Sequence, residues 1–150
     1  MALNRDQAFL AEMAFQAGDA PLKISSCPIA DEYQITLIGL DREAGKIRIA
    51  AELSARWLNG GGVIQGGIIA GILDFAMAFA VLAKLGSNQA LATTNLDVAY
   101  LRPSFPGHFE AAASVISLGR SVAFLKAEMF GPEGKRVATA TSTGMVIKGE

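Results

Sequence analysis

The chain has one cysteine, Cys27, and one histidine, His108, in 150 residues. A lone cysteine excludes an internal disulfide framework and a cysteine-ligated zinc site. A lone histidine excludes any site that needs two imidazoles. Charge is also scarce: Asp, Glu, Lys and Arg make up 18% of the chain and sum to −1. That balance leaves no broad basic face for nucleic acid or an anionic membrane. Met1-Ala2-Leu3-Asn4-Arg5-Asp6 is not followed by the long apolar run of a secretion signal, so a cytoplasmic location is expected. What is abundant is apolar material, 51% of the residues, which excludes disorder and supplies the core of a single domain over 1–150.

Residues 5–17 read as an amphipathic helix, with Phe9, Leu10, Met13 and Ala14 at helical spacing and Gly18 as its stop. Residues 19–31 carry Pro21 and Pro28 and read as a connector. Residues 33–40 suit a strand, 41–45 a turn, and 46–53 a half-buried strand with Ile47, Ile49, Ala51 and Leu53 on one face. Gly60, Gly61 and Gly62 mark a loop within 54–65. After Gly86 the pattern is β: strands over 90–101, 109–118, 121–130 and 136–147, with turns at Gly119-Arg120 and Gly131-Pro132-Glu133-Gly134.

Between the two β regions lies residues 66–85, apolar on every side, with Asp74 and Lys84 as its only charges. Such a helix is either wrapped by protein or inserted in a membrane. Its length is near the ~20 residues that span a bilayer, and Gly67 and Gly71 form a GxxxG pair. Asp74 near its middle would be costly in lipid, and the surrounding strands offer protein to wrap it. The expectation is an α+β fold, an antiparallel sheet of about six strands curled around one long central helix. Small residues at Ala138, Ala140, Ser142 and Gly144 would let the helix lie close, and a second subunit could cover what the sheet does not.

Three features of this helix and its approach invite chemistry. Asp74 is a carboxylate in an apolar setting, although a lone Asp can also face solvent or bond a nearby amide. Gln65-Gly66-Gly67 opens the helix, where unpaired amides can hold a developing oxyanion and glycine lets a ligand approach. Asn59, across the glycine loop, is a further hydrogen-bonding group.

Asn59, Gln65-Gly66-Gly67 and Asp74, at this spacing, resemble the active-site segment of hotdog-fold acyl-CoA thioesterases, above all the phenylacetate-pathway (PaaI-like) group. Thr93-Thr94-Asn95-Leu96-Asp97-Val98-Ala99-Tyr100-Leu101-Arg102-Pro103 is similar to that group's strand ending in Leu-Arg-Pro. Gly119-Arg120-Ser121 and Glu133-Gly134-Lys135-Arg136-Val137-Ala138 resemble its turn and hairpin motifs, so the likeness covers roughly 45–147. Gln65 departs from the family, which carries histidine at that point, and glutamine cannot become a cation. Hotdog dehydratases rely on histidine with a carboxylate, and His108, in a Pro-Gly-His turn outside the motif, disfavours that chemistry.

The resemblance implies hydrolysis of an acyl-CoA thioester with an aromatic or medium-chain acyl group. Gly66 would polarise the carbonyl, Asp74 would act as general base or nucleophile, Thr93 would orient water or the carboxylate, and Asn59 and Gln65 would hold the thioester. Arg120, Ser121 and Arg102 are candidates for the CoA moiety, and Trp57, Leu58 and Phe79 for the acyl pocket or the plain core. No metal and no cofactor beyond the CoA of the substrate is expected. Gly66 and Asp74 are eight residues apart, about 12 Å along one helix. A reacting carbonyl must lie within about 3 Å of both donor and attacking group. Two antiparallel helices about a twofold axis would bring Asp74 of one chain to Gly66 of another, so a homodimer with interfacial sites is expected. The family implies the same, often with dimers paired into homotetramers. The competing readings are a non-catalytic acyl-CoA-binding or sensing domain, kept open by Gln65, and a purely structural module, which leaves Asp74 unexplained.

Overall fold

The structure, a computed structural model, describes residues 4–13, 15, 16 and 18–149. It is the α+β hotdog arrangement: one antiparallel sheet packed around one long helix. The sheet has seven strands, β1 (Leu22–Lys23), β2 (Thr36–Asp41), β3 (Lys46–Leu53), β4 (Gln89–Tyr100), β5 (Gly107–Leu118), β6 (Val122–Phe130) and β7 (Arg136–Lys148). Their order across the sheet is β1-β2-β3-β5-β6-β7-β4. The seventh strand is the two-residue β1, which pairs with the start of β2 and lies in the segment expected to be a connector.

The N-terminal segment contains two short helices, α1 (Arg5–Glu12) and α2 (Pro28–Glu32). Asn4 caps α1 by accepting from the amides of Asp6 and Gln7 at 2.9 and 3.2 Å. The helix stops at Glu12, short of the expected 17, because Met13 turns extended. Met13 and Phe15, two apart along the chain, both pack on the core there. Ala14 lies outside the described residues. Pro28 starts α2 at its first turn, where no amide is missed. Gln34 then takes a φ of 49° and the amide of Ile35 returns to the carbonyl of Ala30 at 2.8 Å, so β2 begins three residues later than the hydrophobic run suggests.

Helix α3 (Gly66–Leu82) fills the sheet's inner face. Ile72, Leu73, Ala76, Met77, Ala80 and Val81 are fully buried against Ile47, Ile49, Phe109, Leu125 and Met129 from the strands. The last strand presents Ala138, Ala140 and Ser142 to the interior, and a Cβ at Gly144 would sit 2.7 Å from Leu91 Cδ1. Among the described residues no helix is long and apolar enough to cross a membrane. Leu73 has no exposed surface and touches the core on all sides. Leu73→Ala is expected to lower unfolding free energy by about 2–5 kcal/mol in a urea titration.

Candidate active site

The carboxylate of Asp74 is half-buried on the side of α3 that faces β4. Thr93 Oγ1 donates to Asp74 Oδ1 at 2.8 Å. A β-bulge delivers that hydroxyl. The register between β4 and β7 slips between Thr93 and Asn95, leaving Thr94 as the extra residue, its hydroxyl held 3.1 Å from the carbonyl of Thr143. Strand alternation would otherwise turn odd- and even-numbered residues to opposite faces. Across the bulge, Thr93 and Leu91 share the helix-facing side with Leu96, Val98 and Tyr100.

At the other end of the site, Asn59 builds the glycine loop. Its Oδ1 accepts from the amides of Gly61 and Val63 at 2.8 and 3.4 Å, and its amide donates to the carbonyl of Val63 at 2.8 Å. Gln65 is the N-cap of α3, its Oε1 accepting from the Ile68 amide at 3.2 Å. A Cβ on Gly67 would lie 2.7 Å from that oxygen, so the cap needs glycine there. The side chain of Gln65 is folded back on its own helix, and only its Nε2 is left to reach a ligand. The amides of Gly66 and Gly67 donate to no protein group among the described residues. They are the positive end of the α3 dipole, open to an anion.

Tyr100, at the end of β4, was not singled out by the motif spacing, yet its hydroxyl donates to the carbonyl of Gly66 at 2.6 Å. Its signal in the sequence is its phase: it is the last inward residue of an alternating strand. Asn59, Gly66, Tyr100 and Arg102 line one cavity of about 350 Å³. Asp74 and Thr93 are outside it, about 12 Å along the helix from Gly66. One chain therefore assembles two half-sites, a carboxylate with its hydroxyl and a helix N-terminus with free amides.

The remaining candidates are spread along the sheet. Arg102 follows the end of β4 and donates to the carbonyl of Arg136 at 2.6 Å. Arg120 and Ser121 lie at the opposite end, where the Ser121 carbonyl accepts from Val146, the partner of Leu91 near the start of β4. Phe79 is a core residue, 1% exposed and stacked on Phe75 with ring centroids 4.3 Å apart. Trp57 packs edge-on against Tyr33, while Leu58 is exposed beside the glycine loop.

Residues 61–138 match the 4HBT thioesterase superfamily, and the chain belongs to that family. A Halobacterium salinarum protein named as a candidate esterase is 30% identical over 139 residues, 87% of this chain and 91% of its own. The medium/long-chain acyl-CoA thioesterase YigI of Escherichia coli is 32% identical over 100 residues, covering 56% of this chain and 63% of that protein. Among solved structures, a phenylacetic acid degradation-related protein of Ralstonia eutropha superimposes with a TM-score of 0.78 at 29% identity, covering 95% of this chain and 99% of that one.

His108 lies apart from both half-sites, on the outer face of the sheet. Its Nδ1 bonds Glu52 and its Nε2 is 3.4 Å from Glu110, which also pairs with Arg48 at 2.8 Å. The bond to Glu52, reinforced by Glu110, raises the imidazole pKa above its ordinary value despite some desolvation. Partial burial pushes the Glu110 carboxyl up, but Arg48 and His108 outweigh it and hold the group below the usual carboxylate range. A raised histidine pKa stabilises the fold fully below the unfolded value of about 6.5, and the gain is lost as pH rises through the folded value. Stability of the wild-type chain is expected to fall between about pH 6 and pH 8 by more than that of His108→Gln, read from denaturation midpoints at each pH.

Proposed function

We propose that this chain is an acyl-CoA thioesterase, cleaving an aromatic or medium-chain acyl-CoA to the free acid and CoA. The observation that carries the reading is the lone carboxylate of Asp74, held by Thr93 in an otherwise apolar helix whose own N-terminus keeps two amides free. The free amides would receive the thioester carbonyl and the negative charge that develops on it. Asp74 would either take a proton from the attacking water or attack the carbonyl carbon itself, breaking the C–S bond to expel the CoA thiolate and leaving an acyl anhydride that water then opens to free acid and restored carboxylate. In the first route, water oxygen bonds to the acyl carbon, the C–S bond breaks, and the proton taken by Asp74 passes to the departing CoA sulfur. Membership of the thioesterase superfamily and the likeness to YigI support this chemistry.

The separation of the half-sites supports a homodimer as the working form. Gly71, Asp74 and Ala78 share one half-buried side of α3, next to β4, whose outer edge is unpaired at the end of the sheet. A Cβ on Gly71 meets nothing within 4 Å. A twofold axis beside this face would set Asp74 of one subunit against Gly66 of the other. Antiparallel pairing of the two β4 edges would also bring Arg102 of one subunit alongside Arg120 and Ser121 of its partner, one cationic group for the CoA phosphates.

A second reading, a non-catalytic acyl-CoA-binding protein, is favoured by Gln65, which stands where the resembling enzymes have histidine and whose carbonyl is committed to capping α3. Asp74→Asn separates the two. In an enzyme, thiol release from a panel of acyl-CoA esters should fall by about a thousandfold while CoA binding persists. In a binding protein, wild type and variant alike should release no thiol and still gain thermal stability from acyl-CoA. Gly71→Trp leaves the single subunit room to fold but fills the dimer face. It is expected to shift the chain from dimer to monomer by light scattering and to remove turnover with it.

A further inference from the structure

We infer that Tyr100 is a positioning residue of this site, holding and polarising the Gly66–Gly67 peptide so that the amide of Gly67 serves with that of Gly66 as a second donor to the developing oxyanion. The inference rests on the thioesterase reading and adds to it a tyrosine to which the resemblance assigned no role.

The atoms that connect Tyr100 to the chemistry lie in one peptide unit. The carbonyl of Gly66 and the amide of Gly67 belong to the same plane. Tyr100 Oη donates to that carbonyl at 2.6 Å. A donor on the oxygen of an amide draws charge through the unit and strengthens its N–H as a donor in turn. The Ile68 amide, next in line, is occupied by Gln65. The two amides left for a ligand are those of Gly66 and Gly67, and Tyr100 acts on the second directly.

Sterics tie the same pair together. A Cβ on Gly66 would fall 3.2 Å from both Cζ and Oη of Tyr100, so the tyrosine occupies the space a side chain at 66 would need. The backbone that carries the ring is itself held. The amides of Leu101 and Arg102 both return to the carbonyl of Val137, at 2.8 and 3.3 Å, and fix the end of β4 on β7. Tyr100 is nevertheless 52% exposed. It lines the cavity beside Gly66 rather than the core, so removing its hydroxyl takes nothing from the packing of the fold.

The test is Tyr100→Phe, which keeps the ring and deletes the bond. Decanoyl-CoA and phenylacetyl-CoA serve as probes with the whole 150-residue chain. The expected result is a kcat about tenfold lower with KM nearly unchanged, the rate equivalent of one neutral hydrogen bond made stronger in the transition state. The melting temperature should stay that of the wild type. Selective ¹⁵N-glycine labelling gives a readout independent of turnover: the Gly67 amide proton should move upfield in Tyr100→Phe. A wild-type enzyme that turns over either ester, with Tyr100→Phe equal to it in kcat and the Gly67 resonance unmoved, overturns the inference and leaves the thioesterase reading intact. A kcat loss matched by a drop in melting temperature, with the Gly67 resonance unmoved, also overturns it. Absence of turnover by the wild type on the whole panel overturns the thioesterase reading first and this inference with it.

Discussion

Helix α3 carries one ionisable side chain in 17 residues, and ten of them, from Ile69 to Leu82, are buried. Burying that helix organises the rest of the molecule, because its polar groups must also be accounted for. At its C-terminal end the account is closed by the amides of Ala83, Lys84 and Leu85, which return to the carbonyls of Phe79, Val81 and Leu82, and by distant side chains on the carbonyls just beyond. Gln7 Nε2 donates to the carbonyls of Leu85 and Gly86 at 2.8 and 3.0 Å, and the guanidinium of Arg42 reaches the carbonyl of Ala83. At the N-terminal end it is left open. Gln65 satisfies the amide of Ile68, and Gly66 and Gly67 expose the two before it. The asymmetry leaves donors for a ligand at one end only, with a carboxylate about two turns further on.

The sheet solves only part of the burial. It covers the side of α3 that carries Leu73, Met77 and Ala80 and leaves Gly71, Asp74 and Ala78 half-covered beside the free edge of β4. Small residues on that side carry little apolar area, so the isolated subunit exposes a narrow strip rather than a greasy patch. The same strip carries the carboxylate of Asp74. Closing it with a second subunit would complete the burial of the helix and the assembly of the site in one event.

Much of this was legible in the sequence, and for definite reasons. Strand β3 was readable because Ile47, Ile49, Ala51 and Leu53 alternate with Lys46, Arg48 and Glu52, broken only by the small Ala50. Helix α3 was readable because nothing apolar of that length, interrupted by Asp74, fits a two-residue period. The connector over 19–31 was not legible: β1 pairs for only two residues and α2 spans five, both held by tertiary bonds such as Ile24 to Ile35. In the site, Asn59, Gly66 and Asp74 stood out through spacing and Thr93 through likeness. The capping role of Gln65 could not be read, because a glutamine that bonds its own helix and one that bonds a ligand look alike in sequence. Tyr100 was hidden because strand alternation makes it one inward residue among several.

The bulge at Thr94 has a consequence for how this chain can vary. Strand β4 must present Thr93 to the middle of α3 and Tyr100 to its start, seven residues apart, an odd interval that a regular strand turns to opposite faces. The one surplus residue restores the phase. The two half-sites are thus synchronised by a count of residues rather than by the identity of any one. Side chains along the strand can drift, yet a one-residue deletion between Thr93 and Tyr100 would rotate one of them out to solvent and leave every other strand of the sheet in place. In this fold, chain length between two landmarks decides which side chains share a face, independently of what those side chains are.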